Sequence, residues 1–294
     1  MRFFRVSAWG NKMKAVVGFL IFAASAQTTE LSSFTVEPST VTAGRTLTVL
    51  YQSDTPLRDG RARVGESESL FYKEGPTHWR ARLGIDAREK AGTHTLLVTG
   101  KKGWKRFRAE IPFIVRKGTY PVSRIRLNPE KDSLYTSGTV AADANRLASF
   151  YVEPGSSQKQ WDGAFLKPTT GVVSSVFGAQ RSYGARPPSG SHSGVDLANA
   201  AGTRVEAPAR GRVVLAEWMD GFGNVVLLDH GQGVYTYYLH MQSINIKVGQ
   251  WAHPGRLLGL MGQEGVATGP HLHWSLVVSG VRVDPMEWVE RAIP

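Results

Sequence analysis

The sequence of 294 residues contains no cysteine. This absence excludes a disulfide framework, and it excludes lipid attachment to the N-terminal cysteine of a processed chain. Low-complexity tracts are also missing, while 41% of the residues are hydrophobic and 20% are charged, which is the composition of a globular protein. Because domains commonly contain about 100–200 residues, the chain is long enough for two of them.

Long hydrophobic runs are absent as well, apart from one segment near the N-terminus. This segment, residues 15–23, follows several basic residues and precedes the cleavage pattern Ala24-Ser25-Ala26. Such an order is typical of a secretory signal peptide, and the run is too short to span a bilayer. We therefore predict a signal peptide over residues 1–26 and export to the periplasm, cell wall or extracellular space. The alternative is a buried N-terminal helix. This alternative is disfavoured because the basic residues lie only on the N-terminal side of the apolar run.

The net charge is +11, from 35 Lys and Arg residues against 24 Asp and Glu residues. The signal peptide holds four of the basic residues and none of the acidic ones, so the mature chain carries +7. Positive charge favours anionic surroundings, and cell wall, membrane surface and nucleic acid all qualify. Because the protein is predicted to be exported, the cell wall is the expected anionic partner. We expect a soluble monomer with no nucleic-acid partner and no stable membrane insertion once the signal is removed.

Two stretches of the chain have the pattern of short strands, so the predicted fold class is all-β. In residues 27–118, segments rich in β-branched and aromatic residues alternate with turn residues at a spacing typical of an Ig-like β-sandwich. The predicted strands are residues 46–51, 78–83, 93–99 and 106–115. His78 and His94 stand alone in this domain and are expected to be surface or packing residues.

The rest of the chain divides into a linker and a second domain. Residues 119–164 are less regular and are predicted to be a linker with a short helix over residues 137–150, capped by Ser137 or Thr139. The apolar stripe of this helix consists of Ala141, Ala144, Leu147 and Ala148. Residues 165–294 are predicted to be an antiparallel β-rich domain, with strands at residues 211–216, 223–228, 233–241 and 271–278.

Six of the eight histidines lie after residue 190, and three of them occur in two short patterns. His192 and Asp196 form an H-x-x-x-D pattern, and His271 and His273 form an H-x-H pattern. Imidazole and carboxylate are suitable zinc ligands. In a strand, residues i and i+2 point to the same side about 6.6 Å apart, so both histidines of the H-x-H should share a face while Leu272 points to the core.

The H-x-x-x-D pattern requires a bend, because an extended strand would separate its two ligands by about 13 Å. Gly194 is the residue expected to allow that bend. Two imidazoles and one carboxylate would leave a coordination position for water, which is typical of a catalytic zinc site. A structural site usually has four ligands and often thiolates, which this chain lacks.

The other histidines of this domain are ambiguous by themselves. His230 and His253 fall in turns and are expected to be solvated. His240 lies near the end of a predicted strand. It is expected to share one face of that strand with Val234, Thr236 and Tyr238. Periodicity alone favours an exposed strand end at this position.

Three ordered motifs resolve this ambiguity. They are His192-Ser193-Gly194-Val195-Asp196, Tyr238-Leu239-His240-Met241 and Thr268-Gly269-Pro270-His271-Leu272-His273. In this order they resemble the signature motifs of the lysostaphin/LytM-type zinc endopeptidases, which hydrolyse peptide cross-links in bacterial peptidoglycan. Connecting segments such as Val176-Phe177-Gly178 are similar too, and the resemblance covers about residues 165–290.

The resemblance implies one zinc ion bound by His192, Asp196 and His273. It also implies that His240 and His271 assist catalysis, by orienting or deprotonating water and by stabilising the oxyanion. The implied fold is a small antiparallel β domain with a groove over the metal, and the implied partners are peptidoglycan peptide stems and cross-links. Ser275 stands where family members often have Glu, so we expect it to alter the groove and the substrate preference.

Two other functions compete with this one. A wall-binding or regulatory protein with the same fold is expected to have lost metal ligands, and all five metal and catalytic positions are filled here. A cupin-like enzyme would need a Glu shortly after the H-x-H, and residues 274–280 contain none.

A further expectation concerns the linker, which is longer than a tether requires and is predicted to cover part of the groove and restrain the enzyme.

Overall fold

The computed structural model of the protein describes residues 33–184, 186–188 and 190–294. The predicted signal peptide lies outside the described residues. Within them, no helix combines the length and the apolar character needed to cross a membrane. Strands dominate the described chain and helices are few, which confirms the expected mostly-β fold.

The N-terminal unit consists of nine strands arranged in two sheets. Their bounds are β1 Phe34–Glu37, β2 Thr40–Thr42, β3 Thr46–Gln52, β4 Leu57–Val64, β5 Ser67–Leu70, β6 Tyr72–Lys73, β7 His78–Gly84, β8 Gly92–Lys102 and β9 Lys105–Arg116. One sheet has the order β1-β3-β7-β6 and the other has the order β2-β9-β8-β4-β5. Most neighbouring strands are antiparallel, but β2 pairs with β9 in parallel. The four strands predicted here correspond to β3, β7, β8 and β9.

Both sheets of this unit contribute to one hydrophobic core. Alternate residues of a strand point to the same side, and Leu47, Val49 and Tyr51 of β3 are accordingly buried. They join Leu96 and Val98 of β8, from the other sheet, in a single apolar cluster. Residues from both sheets of this unit therefore form one shared core.

The segment after β9 contains one strand and two helices: β10 Val122–Ile125, α1 Pro129–Thr136 and α2 Thr139–Ser149. Helix α1 begins where Asn128 accepts a hydrogen bond from the Lys131 N–H and Pro129 occupies the first turn. Gly138, with φ of 88°, separates the two helices. The predicted helix is confirmed as α2, although Gly138 rather than Ser137 or Thr139 is its N-cap. We call α1 and α2 the helical hairpin.

The C-terminal unit contains twelve strands and one short helix. Their bounds are β11 Val172–Ser175, β12 Gln180–Tyr183, β13 Gly190–Ser191, β14 Val195–Ala198, β15 Arg204–Glu206, β16 Gly211–Met219, β17 Gly223–Asp229, β18 Val234–Ile244, β19 Trp251–Ala252, β20 Leu257–Met261, β21 His271–Val278, β22 Val281–Val283 and α3 Pro285–Glu290. The main path of the large sheet is β11-β14-β21-β18-β17-β16-β19. A small sheet has the order β10-β12-β13, so β10 of the linker is part of this unit.

The large sheet has an apolar cluster on each face. On one side, which we call the core face, Leu197, Tyr238 and Leu272 belong to the main hydrophobic core. On the opposite side, which we call the site face, Tyr237 and Leu239 pack in a second cluster with residues of α2 and the segment after it. The hairpin is therefore anchored by apolar contacts at the end of α2. Leu147 is its buried residue, while Ala141 is exposed instead of lying on the predicted inner stripe.

A buried arginine connects the N-terminal and C-terminal units. Arg82 of β7 is 1% exposed and makes an ion pair with Glu74 at 2.6 Å. It also donates a hydrogen bond to the side-chain oxygen of Gln232 and lies over the ring of Trp161, 4.9 Å from its centroid. The two units are thus joined by a desolvated charge whose partners come from both sides.

Replacing Arg82 should destabilise the whole protein. In Arg82→Ala, Glu74 and Gln232 lose their buried partner, and removal of one member of a buried ion pair typically costs about 3–5 kcal/mol. Urea unfolding measures this loss. Arg88→Ala is the control, because Arg88 pairs with Asp86 at the surface with 78% of its side chain exposed. Equal stability of both variants would contradict a structural role for Arg82.

Candidate metal and catalytic site

The pairing of β14 with β21 brings the two short sequence patterns together. In this antiparallel pair Asp196 lies opposite His273, and Ala198 lies opposite His271. Directly opposite residues point to the same side of a sheet, so these polar side chains all lie on the site face. Leu272 points to the core face and is fully buried, as the alternation predicted.

His192 reaches the same place because the chain bends between β13 and β14. The bend is at Ser193 and Gly194, as expected. The reason for glycine is close packing, since a Cβ atom on Gly194 would lie 2.2 Å from the Trp274 carbonyl oxygen and 2.4 Å from Ser275 Oγ. Only a residue without a side chain lets this bend lie against β21.

Three ligand-type atoms converge at this point. His192 Nε2 lies 2.9 Å from Asp196 Oδ1, His273 Nδ1 lies 2.9 Å from the same oxygen, and the two nitrogens are 2.9 Å apart. All three side chains are buried. Zinc–nitrogen and zinc–oxygen bonds are about 2.0–2.2 Å long, and three atoms at this spacing can all lie about 2.1 Å from one point. The arrangement therefore fits a single metal ion.

The protons of the two imidazoles are held on the far side of each ring. His192 Nδ1 donates to the Val176 carbonyl at 2.9 Å, so Nε2 of this ring is unprotonated and carries a lone pair. His273 Nε2 is 2.8 Å from Ser275 Oγ, and that hydroxyl donates to the Ser193 carbonyl at 2.9 Å. Because the Ser275 hydroxyl donates its hydrogen to Ser193, its oxygen accepts a hydrogen bond from His273 Nε2–H. His273 Nδ1 therefore keeps its lone pair. Two lone pairs and a carboxylate facing each other need a cation between them.

His240 is directed toward the site by a β-bulge. Two residues of β18, Leu239 and His240, stand between the pairs Val226–Tyr238 and Asn224–Met241, opposite one residue of β17. His240 has φ of 64°, a left-handed conformation rarely adopted by residues other than glycine. The bulge shifts the alternation, so His240 lies on the site face with Leu239. Our prediction that it shares a face with Val234, Thr236 and Tyr238 was wrong.

Beside the three convergent atoms lie two further histidines with free ring nitrogens. His240 Nδ1 donates to the Glu264 carbonyl at 2.7 Å, and His271 Nδ1 donates to the Gly269 carbonyl at 2.8 Å. Nε2 of each ring is left as an acceptor, and His271 Nε2 lies 3.8 Å from Asp196 Oδ1. The two rings are 4.9 Å apart between centroids. Both are oriented to accept a proton next to the candidate metal position.

Burial keeps His192, His240 and His273 neutral. Desolvation lowers the pKa of His192 and lowers the pKa of His273 to about 4. Desolvation also holds the pKa of His240 well below its ordinary value, with a further contribution from the neighbouring His271 and His273. Neutral imidazole is the form that binds a metal or accepts a proton.

Arg181 is a site residue that sequence reasoning missed. Its Nη2 donates to Asp196 Oδ2 at 2.5 Å, so one carboxylate oxygen is paired with a cation while Oδ1 faces the histidines. Arg181 is in β12, in the small sheet, and no periodic pattern connects it with Asp196 across fifteen residues. The contact depends on how the small sheet packs against the large one.

Two cavities adjoin the site. The first, which we call the hairpin cavity, has a volume of about 210 Å³ and lies between the helical hairpin (Tyr135, Val140) and the site residues His192, His240 and His273. The second, which we call the arginine cavity, has a volume of about 600 Å³ and reaches Asp196 and His271. Linker residues contribute to the lining of both.

Comparison with known proteins places this site in a family. Residues 190–285 match the sequence model of Peptidase family M23. This match covers about a third of the chain, and the site residues lie within it. The matched residues include both short motifs and the bulge that carries His240. The resemblance to LytM-type peptidases is therefore confirmed.

Relatives of the M23 domain include named cell-wall enzymes. The chain is 37% identical over 148 residues to the peptidoglycan DD-endopeptidase ShyA of Vibrio cholerae, covering 50% of this chain and 34% of ShyA. It is 36% identical over 109 residues to lysostaphin of Staphylococcus simulans, covering 35% of this chain and 22% of lysostaphin. The chain thus spans about a third or less of the length of these relatives.

A solved structure extends the similarity beyond the M23 domain. A candidate peptidase M23 from Pseudomonas aeruginosa is 29% identical, with a TM-score of 0.62 over 82% of this chain and 92% of that chain. The shared region is longer than the M23 domain itself. It therefore includes part of the chain that precedes this domain.

Two expectations about the M23 domain need correction. His230 is not a solvated turn residue: it is fully buried, donates from Nδ1 to the Arg210 carbonyl at 2.8 Å and lies 2.7 Å from Thr236 Oγ1. Its turn folds over Phe165, a contact that no local pattern predicts. Ser275 is also fully buried and lies beneath His273 instead of lining a cavity, so it supports a ring rather than shaping the groove.

Gly194→Ala should damage the site. The new Cβ atom would overlap the Trp274 carbonyl, so the bend must move and carry His192 away from Asp196; overpacking of this kind typically costs about 1–3 kcal/mol. Urea unfolding and zinc titration measure both effects. Gly190→Ala is the matched control, because a Cβ atom there meets no heavy atom within 4 Å. A Gly194→Ala protein as stable and as metal-competent as the control would contradict the close approach.

Proposed function

We propose that this protein is a zinc endopeptidase that hydrolyses peptide cross-links of bacterial peptidoglycan. The observation that supports this most strongly is the convergence of His192 Nε2, Asp196 Oδ1 and His273 Nδ1 at mutual distances of 2.9 Å. The match of residues 190–285 to Peptidase family M23 and the similarity to ShyA and lysostaphin support the same chemistry and the same class of substrate.

His192, Asp196 and His273 are the proposed ligands. A zinc ion held there would supply a Lewis acid and lower the pKa of a bound water to about 7. Arg181 keeps the second oxygen of Asp196 occupied, so that the carboxylate presents Oδ1 alone to the metal position. The Val176 carbonyl and Ser275 hold the two imidazoles in the tautomers that a metal requires.

His240 and His271 are the proposed catalytic residues. Their free Nε2 atoms can accept a proton from water or donate one to an oxyanion, while their Nδ1–H groups are fixed by backbone carbonyls. The left-handed backbone at His240 is consistent with this role, because strain at a functional site is retained when it directs a side chain. The bulge places this imidazole near His271 instead of toward the core face.

A regulatory function without catalysis is the alternative. One relative, 36% identical over 98 residues, is named the murein hydrolase activator EnvC of Escherichia coli. We favour the enzyme, because the present chain retains the convergent ligand set and both flanking histidines.

We further propose the arrangement of the rest of the chain. Residues 27–118 would form an Ig-like β-sandwich, residues 119–164 a linker and residues 165–294 the peptidase domain. Two sheets around one core and the parallel pairing of β2 with β9 support the sandwich. Residues 1–26 would direct export, and the mature protein would act as a monomer on peptide stems outside the cytoplasm.

The helical hairpin would restrain the enzyme from one side of the metal centre. Helix α1 buries no residue. Lys131 Nζ donates to the Ala267 carbonyl at 2.5 Å, Asp132 pairs with Arg186 at 2.8 Å, and Tyr135 packs on Tyr183 with ring centroids 4.2 Å apart. Polar contacts near the surface are weak, so their loss can release α1 while α2 stays anchored by Leu147.

The ligand and catalytic roles predict different effects of alanine substitution. His192→Ala, Asp196→Ala and His273→Ala should lose zinc. His240→Ala and His271→Ala should keep about one zinc per chain but lose turnover by about 100- to 10,000-fold, the range typical of general acid–base catalysis. Metal analysis and mass spectrometry of fragments released from purified peptidoglycan measure the two properties.

Two controls accompany these variants: removal and return of the metal, and substitution of an exposed histidine. A chelator should abolish activity and added zinc should restore it, and His253→Ala should behave as the unaltered protein because His253 is exposed. If His271→Ala lost zinc while His273→Ala retained it, the assignment within the H-x-H would be reversed. Zinc-free protein that releases no fragments would support the regulatory alternative.

Release of α1 should increase activity. Lys131→Ala/Asp132→Ala removes both polar contacts, and the loss of two exposed contacts predicts an increase in turnover of about 2- to 10-fold. The initial rate of peptidoglycan release measures it. Glu130→Ala is the control on the same helix. Unchanged or lower turnover in the double variant would contradict a restraining hairpin.

A further inference from the structure

The arginine cavity adjoins the proposed catalytic centre and shares Arg181, Tyr183 and Val266 with the hairpin cavity. Its volume is about 600 Å³, and Asp196 and His271 contribute to its lining. Hydroxyl groups of Ser174, Ser175 and Thr268 contribute polar surface. The hairpin cavity has about a third of this volume, so the arginine cavity has more room for a peptide next to the reactive position.

The charge of the arginine cavity is positive. Arg124, Arg126 and Arg181 line it, and Asp196 is its only acidic lining residue among the described parts of the chain. Asp196 is already paired with Arg181. Arg124 and Arg126 are exposed, and within the described residues neither makes an ion pair. Two guanidinium groups are therefore available to an anionic ligand, and each can form paired hydrogen bonds with a carboxylate.

Strand β10 presents its backbone to this cavity. Ser123, Arg124 and Ile125 of β10 contribute to the lining, as does Arg126 directly after the strand. Successive side chains of a strand point to opposite sides, so three consecutive lining residues of β10 indicate that the cavity borders the edge of the strand. In the described chain β10 pairs with β12 alone, which leaves its other edge without a strand partner. Such an edge can bind an extended peptide through main-chain hydrogen bonds.

We propose that the arginine cavity binds an extended peptide that carries free carboxylates, with Arg124 and Arg126 pairing with those carboxylates along the edge of β10. This inference rests on the proposed function and specifies its substrate: a stem peptide whose carboxylates are not amidated. Two such carboxylates are tested separately, the one at the C-terminus and the one on a diamino-acid side chain. Arg124 and Arg126 are specificity residues, because they line the same cavity as Asp196 and His271.

Three versions of one cross-linked muropeptide test the proposal: all carboxylates free, the C-terminal carboxylate amidated, and the diamino-acid side-chain carboxylate amidated. Binding to the full chain is measured with a chelator present, and kcat and KM are measured with zinc. For Arg124→Gln/Arg126→Gln we expect Kd and KM for the free peptide to rise about 3- to 10-fold with kcat unchanged. The increase should shrink at high salt, because the arginines are exposed.

The amidated peptides identify which carboxylates are bound. Amidation of a bound carboxylate should reduce the difference in Kd between the double variant and the unaltered protein, and amidation of an unbound carboxylate should leave that difference unchanged. Arg63→Gln/Arg106→Gln is the control, since it removes the same charge from exposed positions of the N-terminal unit. The proposal is overturned if Arg124→Gln/Arg126→Gln binds the free peptide as tightly as this control does. An unaltered protein that neither binds nor cleaves any of the peptides overturns the proposed function itself, and this inference with it.

Discussion

The register between β14 and β21 is the constraint on which the site depends. It places Asp196 opposite His273 and Ala198 opposite His271, so that three of the polar residues lie on one face. A slip by one residue would turn His273 and His271 toward the core and Leu272 toward the site. The register is held by the core itself, because Leu197, Leu272 and Trp274 are buried on the opposite face of the same strands. The hydrophobic core and the geometry of the candidate site therefore share one determinant.

Around this register, the protein controls the orientation of each imidazole. Four of the histidines have one ring nitrogen bound to a fixed acceptor, and the other nitrogen faces the site. Backbone carbonyls and one buried hydroxyl perform this task, so the tautomers do not depend on mobile charged groups. Desolvation adds to the effect, since it disfavours the protonated ring. The result is a preorganised set of lone pairs.

The segment between the two units has two structural roles. Its helices pack on the site face, next to His192 and His240, while its strand β10 joins the small sheet and lines the arginine cavity. Arg181 lies in the neighbouring strand β12 and connects this small sheet to Asp196. The candidate site is thus bordered by residues that precede the segment matched by the family model. Arg82 adds a connection between the N-terminal and C-terminal units.

Features that depend on residues close in sequence were predicted correctly, and features that depend on distant parts of the chain were not. The predicted strands and the shared face of His271 and His273 depend on neighbouring residues, and periodicity was sufficient for them. The bend at Gly194 was predicted from the short distance that two ligands of one metal require. The face of His240 was predicted wrongly because a bulge interrupts the alternation of β18. His230 and Ser275 were misjudged, and Arg181 was missed, because their environments come from distant parts of the chain. A single sequence holds little information about such packing.

X-ray absorption at the zinc edge, on the full chain loaded with one equivalent of zinc, tests the central claim most directly. The account predicts a first shell of nitrogen and oxygen atoms at about 2.0–2.1 Å, with outer scattering from two imidazoles. Outer scattering from one imidazole only, or from three or four, would contradict the assignment of His192, Asp196 and His273 as the ligands.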